Sequence, residues 1–206
     1  NYEEFLRRTT DPRLQQLLLV PEGESTLYAV SSTASLDFRD SAFVPTRGLF
    51  ATAFVEWART LRSQSVDVAD VSQRFTSHHL RVTLSSSSYL PISNAVILAA
   101  QVRAGRVMHL ADDSKTYPNR QYFLGGPDSM RAYLQEAFIP QDVAEAIQAD
   151  PALSPDAVLR GGDAFVLLRG ELRYPMWGTL HGGLFVEFGN LWADASTMNP
   201  FDLRPT

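Results

Sequence analysis

From residue 25 onward the chain alternates apolar and polar side chains with a period of two. In "TLYAVSSTASLDF" the positions Tyr28, Val30, Ala34, Leu36 and Phe38 form one face, and Ser31, Thr33, Ser35 and Asp37 form the other. A second run over about 49–60 lines up Leu49, Ala51, Ala53, Val55 and Trp57. A third sets Leu80, Val82 and Leu84 against Arg81, Thr83 and Ser85, and a fourth sets Val96, Leu98, Ala100 and Val102 against Gln101 and Arg103. After Gly161 and Gly162 a fifth run separates Ala164, Val166, Leu168, Leu172 and Tyr174 from Leu167, Arg169, Glu171 and Arg173, and Pro175 ends it. The sixth, "GGLFVEFGNLW", separates Leu184, Val186 and Phe188 from Phe185, Glu187 and Gly189. Successive side chains of a strand point to opposite sides, so this pattern predicts six long strands. Short turn-forming connections such as "RDSAFVPTRG", punctuated by Pro45 and Gly48, make them antiparallel.

Three stretches break the period. Residues 1–24 read as an irregular loop with one possible helical turn. "RSQSVDVADVSQ" reads as a polar connection. Residues 111–162 form a segment far too long for a hairpin turn, and connections of that length are usually functional. Within it, "QDVAEAIQAD" predicts a short helix, with Val143 and Ile147 on one face between Pro140 and Pro151. "YFLGGPDSMRAY", residues 122–133, reads as a bend built on Gly125 and Gly126. It carries one arginine, Arg131, between Met130 and the pair Ala132 and Tyr133. Arginine keeps its charge at neutral pH, so an inward Arg131 must meet an acidic group.

Alternation leaves the solvent open. A soluble sandwich packs its apolar faces together, whereas a membrane barrel turns them to lipid around a wet lumen. Strands of about ten residues match a tilted bilayer crossing. Aromatics near strand ends (Tyr89, Tyr122, Tyr174, Trp177, Trp192) match an interfacial girdle. Arg169, Glu171, Arg173 and Glu187 put both signs of charge in mid-strand on the polar face, where Glu171 beside Arg169 and Arg173 also reads as a local same-face charge ladder.

Composition narrows the classes. Hydrophobic residues make up 45% of the 206, enough to exclude a disordered chain. The net charge of −5 and the lack of a basic stripe argue against nucleic acid. No cysteine is present, which excludes disulfides, thiolate metal sites and cysteine nucleophiles. His78 and His79 point to opposite faces of a strand, and with His109 and His181 they predict no metal site. Gly125 and Gly126 lack the GK[ST] ending of a phosphate loop, and "SSSS" at 85–88 lacks a nucleophile elbow. None of these patterns supports an enzyme or a cofactor site. The termini at Asn1 and Thr206 read as those of a piece of a longer product.

Four stretches, in order, resemble the Omp85 superfamily of outer-membrane assembly and translocation barrels. "FRDSAFVPTRG" (38–48) is similar to its strand–turn–strand signature. "YFLGGPDSMRAY" is similar to its large loop that folds back into the barrel. "GGDAFVLLRGELRYPMWG" (161–178) and "LFVEFGNLW" (184–192) are similar to the next two strands. The chain departs from the family pattern where Ala132 replaces a glycine and Glu187 an aspartate.

The resemblance implies an all-β fold. Residues 25–206 would be part of a transmembrane barrel of about sixteen strands, with 111–162 as its internal loop. It places Gly125, Gly126, Met130, Arg131, Ala132 and Tyr133 at a structural and functional loop tip. Glu171 and Glu187 would be the lumen carboxylates that meet Arg131, and Phe185 and Gly189 part of the strand motif. It implies location in a Gram-negative outer membrane, contact with its lipids, and unfolded barrels or exported proteins as substrates. Periplasmic POTRA repeats in the parent chain and accessory lipoproteins or an inner-membrane-linked partner would accompany it. General assembly, dedicated secretion and anchoring of a passenger domain are the roles the resemblance leaves open.

Overall fold

The structure is a computed structural model describing residues 25–63, 65–68, 71–74, 76–149, 161–178 and 180–206. The expected irregular loop at 1–24 lies outside the described residues. The strands are β1 (Ser25–Asp37), β2 (Gly48–Ser63), β3 (Ser65–Val68), β4 (Val71–Arg74), β5 (His78–Pro91), β6 (Ile97–His109), β7 (Ala164–Trp177), β8 (Leu180–Trp192) and β9 (Arg204–Pro205). Among the described residues one α-helix, α1 (Gln141–Ala149), lies between β6 and β7. These strands pair antiparallel, and one sheet runs in the order β1-β2-β5-β6-β7-β8-β9 without closing.

The six predicted runs are the six long strands. The polar connection "RSQSVDVADVSQ" is instead a continuation of β2 into a separate hairpin, β3–β4. Val66, Val68 and Val71 give it the β-branched residues a ladder needs, with Val68 opposite Val71. The short β9 also carried no alternation that could announce it.

The sheet has unequal ends. Three connections at one end are tight: 38–47, 92–96 and the turn at Gly178. At the other end stand the β3–β4 hairpin and the long segment 110–163. Register puts the odd positions of β1, β5, β6, β7 and β8 on one face with the even positions of β2. The opposite face is apolar and open over most of its extent, with Val30, Leu49, Leu84, Val102, Leu184 and Val186 all exposed, but it is covered at Ala164, Val166 and Trp192.

The larger core cluster lies on the polar face, and a smaller one lies on the opposite face beside the end of β8. Near the long-loop end the polar face turns apolar at Val107, Phe165, Leu167 and Leu191, and the long segment lands there. Tyr122, Leu124, Met130 and Phe138 from the segment complete the cluster. Two aromatics expected at a girdle are buried instead. Tyr122 packs inward, because Gly105 leaves room where a Cβ would lie 2.6 Å from its ring. Trp192 is covered by residues after β8, in a smaller cluster with Ala164, Val166 and Ala195.

The Asp40 carboxylate ties the two sides of the β1–β2 turn together. Asp40 Oδ1 accepts the backbone N–H groups of Thr46 at 2.9 Å and Arg47 at 3.1 Å, and Oδ2 accepts the Thr46 hydroxyl. Gly48 must be glycine: its φ is +109°, and a Cβ would lie 2.2 Å from the Phe38 carbonyl oxygen.

The Thr46 hydroxyl, then the two backbone N–H groups, hold the Asp40 carboxyl at about 2, below the ordinary 3.8. A lowered pKa means the turn is held above the ordinary value and loosens as pH falls through the lowered one. The amide shifts of Thr46 and Arg47 should therefore titrate with a midpoint near 2. A midpoint at 3.8 would contradict this hydrogen bonding.

Candidate functional site: a loop tip on the inner wall

The bend at 125–133 is built by its own backbone. Gly125 and Gly126 have φ of +113° and +93°, and a Cβ on Gly125 would lie 2.2 Å from the Leu134 carbonyl oxygen. Ser129 Oγ accepts the Gly125 N–H at 2.8 Å, and the Gly126 N–H donates to the Tyr133 carbonyl at 3.0 Å. Ala132 is exposed, and Glu136 alone among the described non-glycine residues has positive φ. Alanine therefore costs nothing at 132.

Three alternate inward residues of β8 receive the tip. Phe185 lies under the Arg131 guanidinium, 4.3 Å from ring centroid to Cζ. Glu187 is fully buried. Its Oε2 accepts the Arg131 backbone N–H at 3.0 Å, and its Oε1 lies 3.3 Å from Arg131 Nε. At Gly189 an added Cβ would lie 2.7 Å from Met130 Sδ, so the glycine makes room for the buried methionine. Tyr133 packs edge-on to Phe138, with centroids 4.7 Å apart.

A second arginine shares the carboxylate. Arg169 Nε on β7 lies 2.7 Å from Glu187 Oε1, although its N–H is not aligned for a hydrogen bond. The contact is an ion pair first. Arg169 Nη2 donates to the Ser129 carbonyl at 3.0 Å, and Arg103 Nη1 to that of Asp128 at 3.3 Å. Strand arginines thus hold the tip by its carbonyls while strand Glu187 holds it by Arg131.

Glu171 joins the local same-face ladder rather than the loop tip. It pairs with Arg173 at 2.9 Å, and no ion pair among the described residues joins it to Arg131. Glu171 and Arg173 are i and i+2 on the same face of β7, so the nearer cation takes the carboxylate.

Sequence reasoning missed the other anchors of the loop. Arg120, in a single 3-10 turn, pairs with buried Glu56 on β2. The Tyr122 hydroxyl donates to the Val82 carbonyl at 2.9 Å and lies 2.8 Å from Thr83 Oγ1, while Arg81 stacks on its ring at 4.4 Å. The inward alternation of Glu56 and Arg81 was visible in the sequence, but nothing local named their partners some forty to sixty residues away. His109 sits between Ser114 Oγ at 3.0 Å and Asp163 Oδ2 at 2.8 Å. The Ser114 hydroxyl is tied to the backbone N–H and C=O of His78 at 2.8 and 2.9 Å, which makes the group a fastening between loop and strands. Among the described residues, no three His, Asp or Glu side chains gather as metal ligands.

An open antiparallel sheet with an apolar outer face and a loop clasped to its polar inner face defines a class, the transmembrane barrel with an internal loop. The Omp85 superfamily domain matches residues 9–205, and the chain belongs to that superfamily. No curated protein matches it. Among solved structures it is similar to BamA from Haemophilus ducreyi lacking POTRA domains 1-3, with a TM-score of 0.58 at 17% identity over 84% of this chain. The chain spans 33% of that structure's length, so it corresponds to part of such a barrel.

Glu187→Gln leaves two guanidinium groups facing each other without their carboxylate. Loss of a buried partner costs ~3–5 kcal/mol when dry and less where water reaches the lumen. Hydrogen exchange at the Arg131 amide should rise at least tenfold in the intact parent barrel, the ratio that about 1.4 kcal/mol gives. Unchanged exchange would mean that the clasp does not hold the tip.

Proposed function

We propose that this chain is the loop-bearing part of an outer-membrane barrel that inserts or translocates proteins in a Gram-negative bacterium. Membership of the Omp85 superfamily and likeness to a BamA barrel support the reading. The single observation that carries it furthest is the seating of Met130 and Arg131 on alternate residues of β8. A loop of this length, charged at its tip and locked to the inner wall, stiffens strands that lipid alone would leave free to shear. Gly125, Gly126, Met130, Arg131, Ala132 and Tyr133 form the latch. Glu187, Phe185 and Gly189 form its seat, and none of these residues does covalent chemistry.

In this reading the parent barrel handles substrates by strand pairing. An unpaired strand edge offers its N–H and C=O groups to an incoming segment, and main-chain hydrogen bonds do the recognition without nucleotide or cofactor. The edge used is a barrel seam supplied by parent strands beyond these 206 residues. Periplasmic POTRA repeats of the same parent would deliver the substrates, and accessory lipoproteins or an inner-membrane-linked partner would assist.

Depletion of the parent protein in its host, followed by quantitation of the outer-membrane proteome, tests this. Loss of many unrelated barrels is expected, with rescue by wild type and none by Arg131→Glu, which sets two carboxylates against each other. Loss of one or two exported proteins alone would make the barrel a dedicated transporter. An unchanged proteome would contradict the proposal.

A further inference from the structure

We propose that Arg59 and Arg106, on the outer face of the sheet near its long-loop end, bind phosphate groups of an anionic lipid headgroup. The inference rests on the barrel reading and adds a ligand to it.

Charge is partitioned between the faces. Asp37, Glu56, Glu171 and Glu187 all lie on the inner face: Glu56 is opposite Ser31 and Arg81, and Glu171 is opposite Phe185. Arg59 and Arg106 lie on the outer face. Arg59 is opposite Tyr28 and His78, and Arg106 is opposite Val82 and Ala164, the last packed with Trp192 and Ala195 while Arg106 itself stays exposed. Both are exposed, and among the described residues neither side chain has an ion pair or hydrogen bond. Two unneutralised cations on an apolar face are costly in hydrocarbon, so they belong at its edge.

Their heights agree with that edge. Arg59 is eleven residues along β2 from Gly48, and Arg106 nine along β6 from Ile97. At about 3.4 Å per residue and a tilt of about 35–45°, those lengths rise roughly 26–31 Å and 22–25 Å. An outer-membrane apolar band is about 25 Å tall, so both arginines reach the far interface. Aromatic rings share that level: Trp57 lies edge-on to Tyr28 at 6.1 Å and to His78 at 5.9 Å.

Chemistry selects the occupant. The alkyl stem of arginine lies along apolar surface while the guanidinium reaches into the headgroup layer. Its planar fork of donors matches a phosphate bidentately. The long-loop end of a bacterial barrel is its extracellular end, so the lipid is one of the outer leaflet.

The test uses the full-length parent barrel reconstituted in phosphatidylcholine bilayers doped with bisphosphorylated lipid A or with its dephosphorylated form. Bound lipid is counted by native mass spectrometry after mild extraction. Wild type should keep the phosphorylated form about tenfold better, as charge-assisted bidentate pairing implies. The double variant Arg59→Gln, Arg106→Gln should lose the preference, and Arg59→Lys, Arg106→Lys should keep part of it. An equal preference in wild type and the Gln variant, or none in wild type, overturns the assignment. Heat-dependent gel migration reports folding separately: a wild type that never enters the bilayer overturns the barrel reading and the lipid site with it.

Discussion

Glu187 is a carboxylate without solvent contact, set between two arginines from different parts of the chain. A buried charge must be paired, and Arg169 from the wall and Arg131 from the loop tip pair it together. The tip in turn depends on the strand, because Gly189 alone leaves space for Met130. A mutual dependence of this kind fixes the tip of the long loop at one position on a wall. Apolar packing around Phe138, Leu167 and Leu191 supplies cohesion, and the ion pairs supply the address.

The inner face is divided by height to serve this arrangement. Near the tight turns it stays polar, with serines and glutamine facing the open side. Near the long loops it becomes apolar where the segment lands, and carries arginines wherever a loop carbonyl must be held. Arg103, Arg169 and Arg81 each engage the loop from a neighbouring strand, by carbonyl, carbonyl and ring respectively. The outer face follows a simpler rule, apolar throughout its middle with cations at one rim.

Much of this was legible in the sequence because a strand writes its faces directly into the period of two. The six long runs, the helix at 141–149 and the inward set Phe185, Glu187 and Gly189 follow from local spacing. Pairing partners do not, since they depend on which residue the fold brings near. Arg131 sits by Glu187, while Glu171 is taken by Arg173, two residues away on its own strand. Arg120 and Glu56 lay unmatched for the same reason. The β3–β4 hairpin was hidden by polar residues that diluted its valines. Trp192 looked like a girdle residue because the covering segment carries no periodic signal.

The central claim is that the tip of the loop rests on β8, and proximity is its most direct measure. These 206 residues contain no cysteine, so within them an introduced pair has no competing thiol. Met130→Cys with Gly189→Cys in the intact parent barrel, under mild oxidation in cells, should form a disulfide that shifts gel mobility. Leu167→Cys with Gly189→Cys, directly opposite across β7 and β8, is the control for strand register. A control bond without the 130–189 bond would contradict the account, because the loop would then not be seated on the strand.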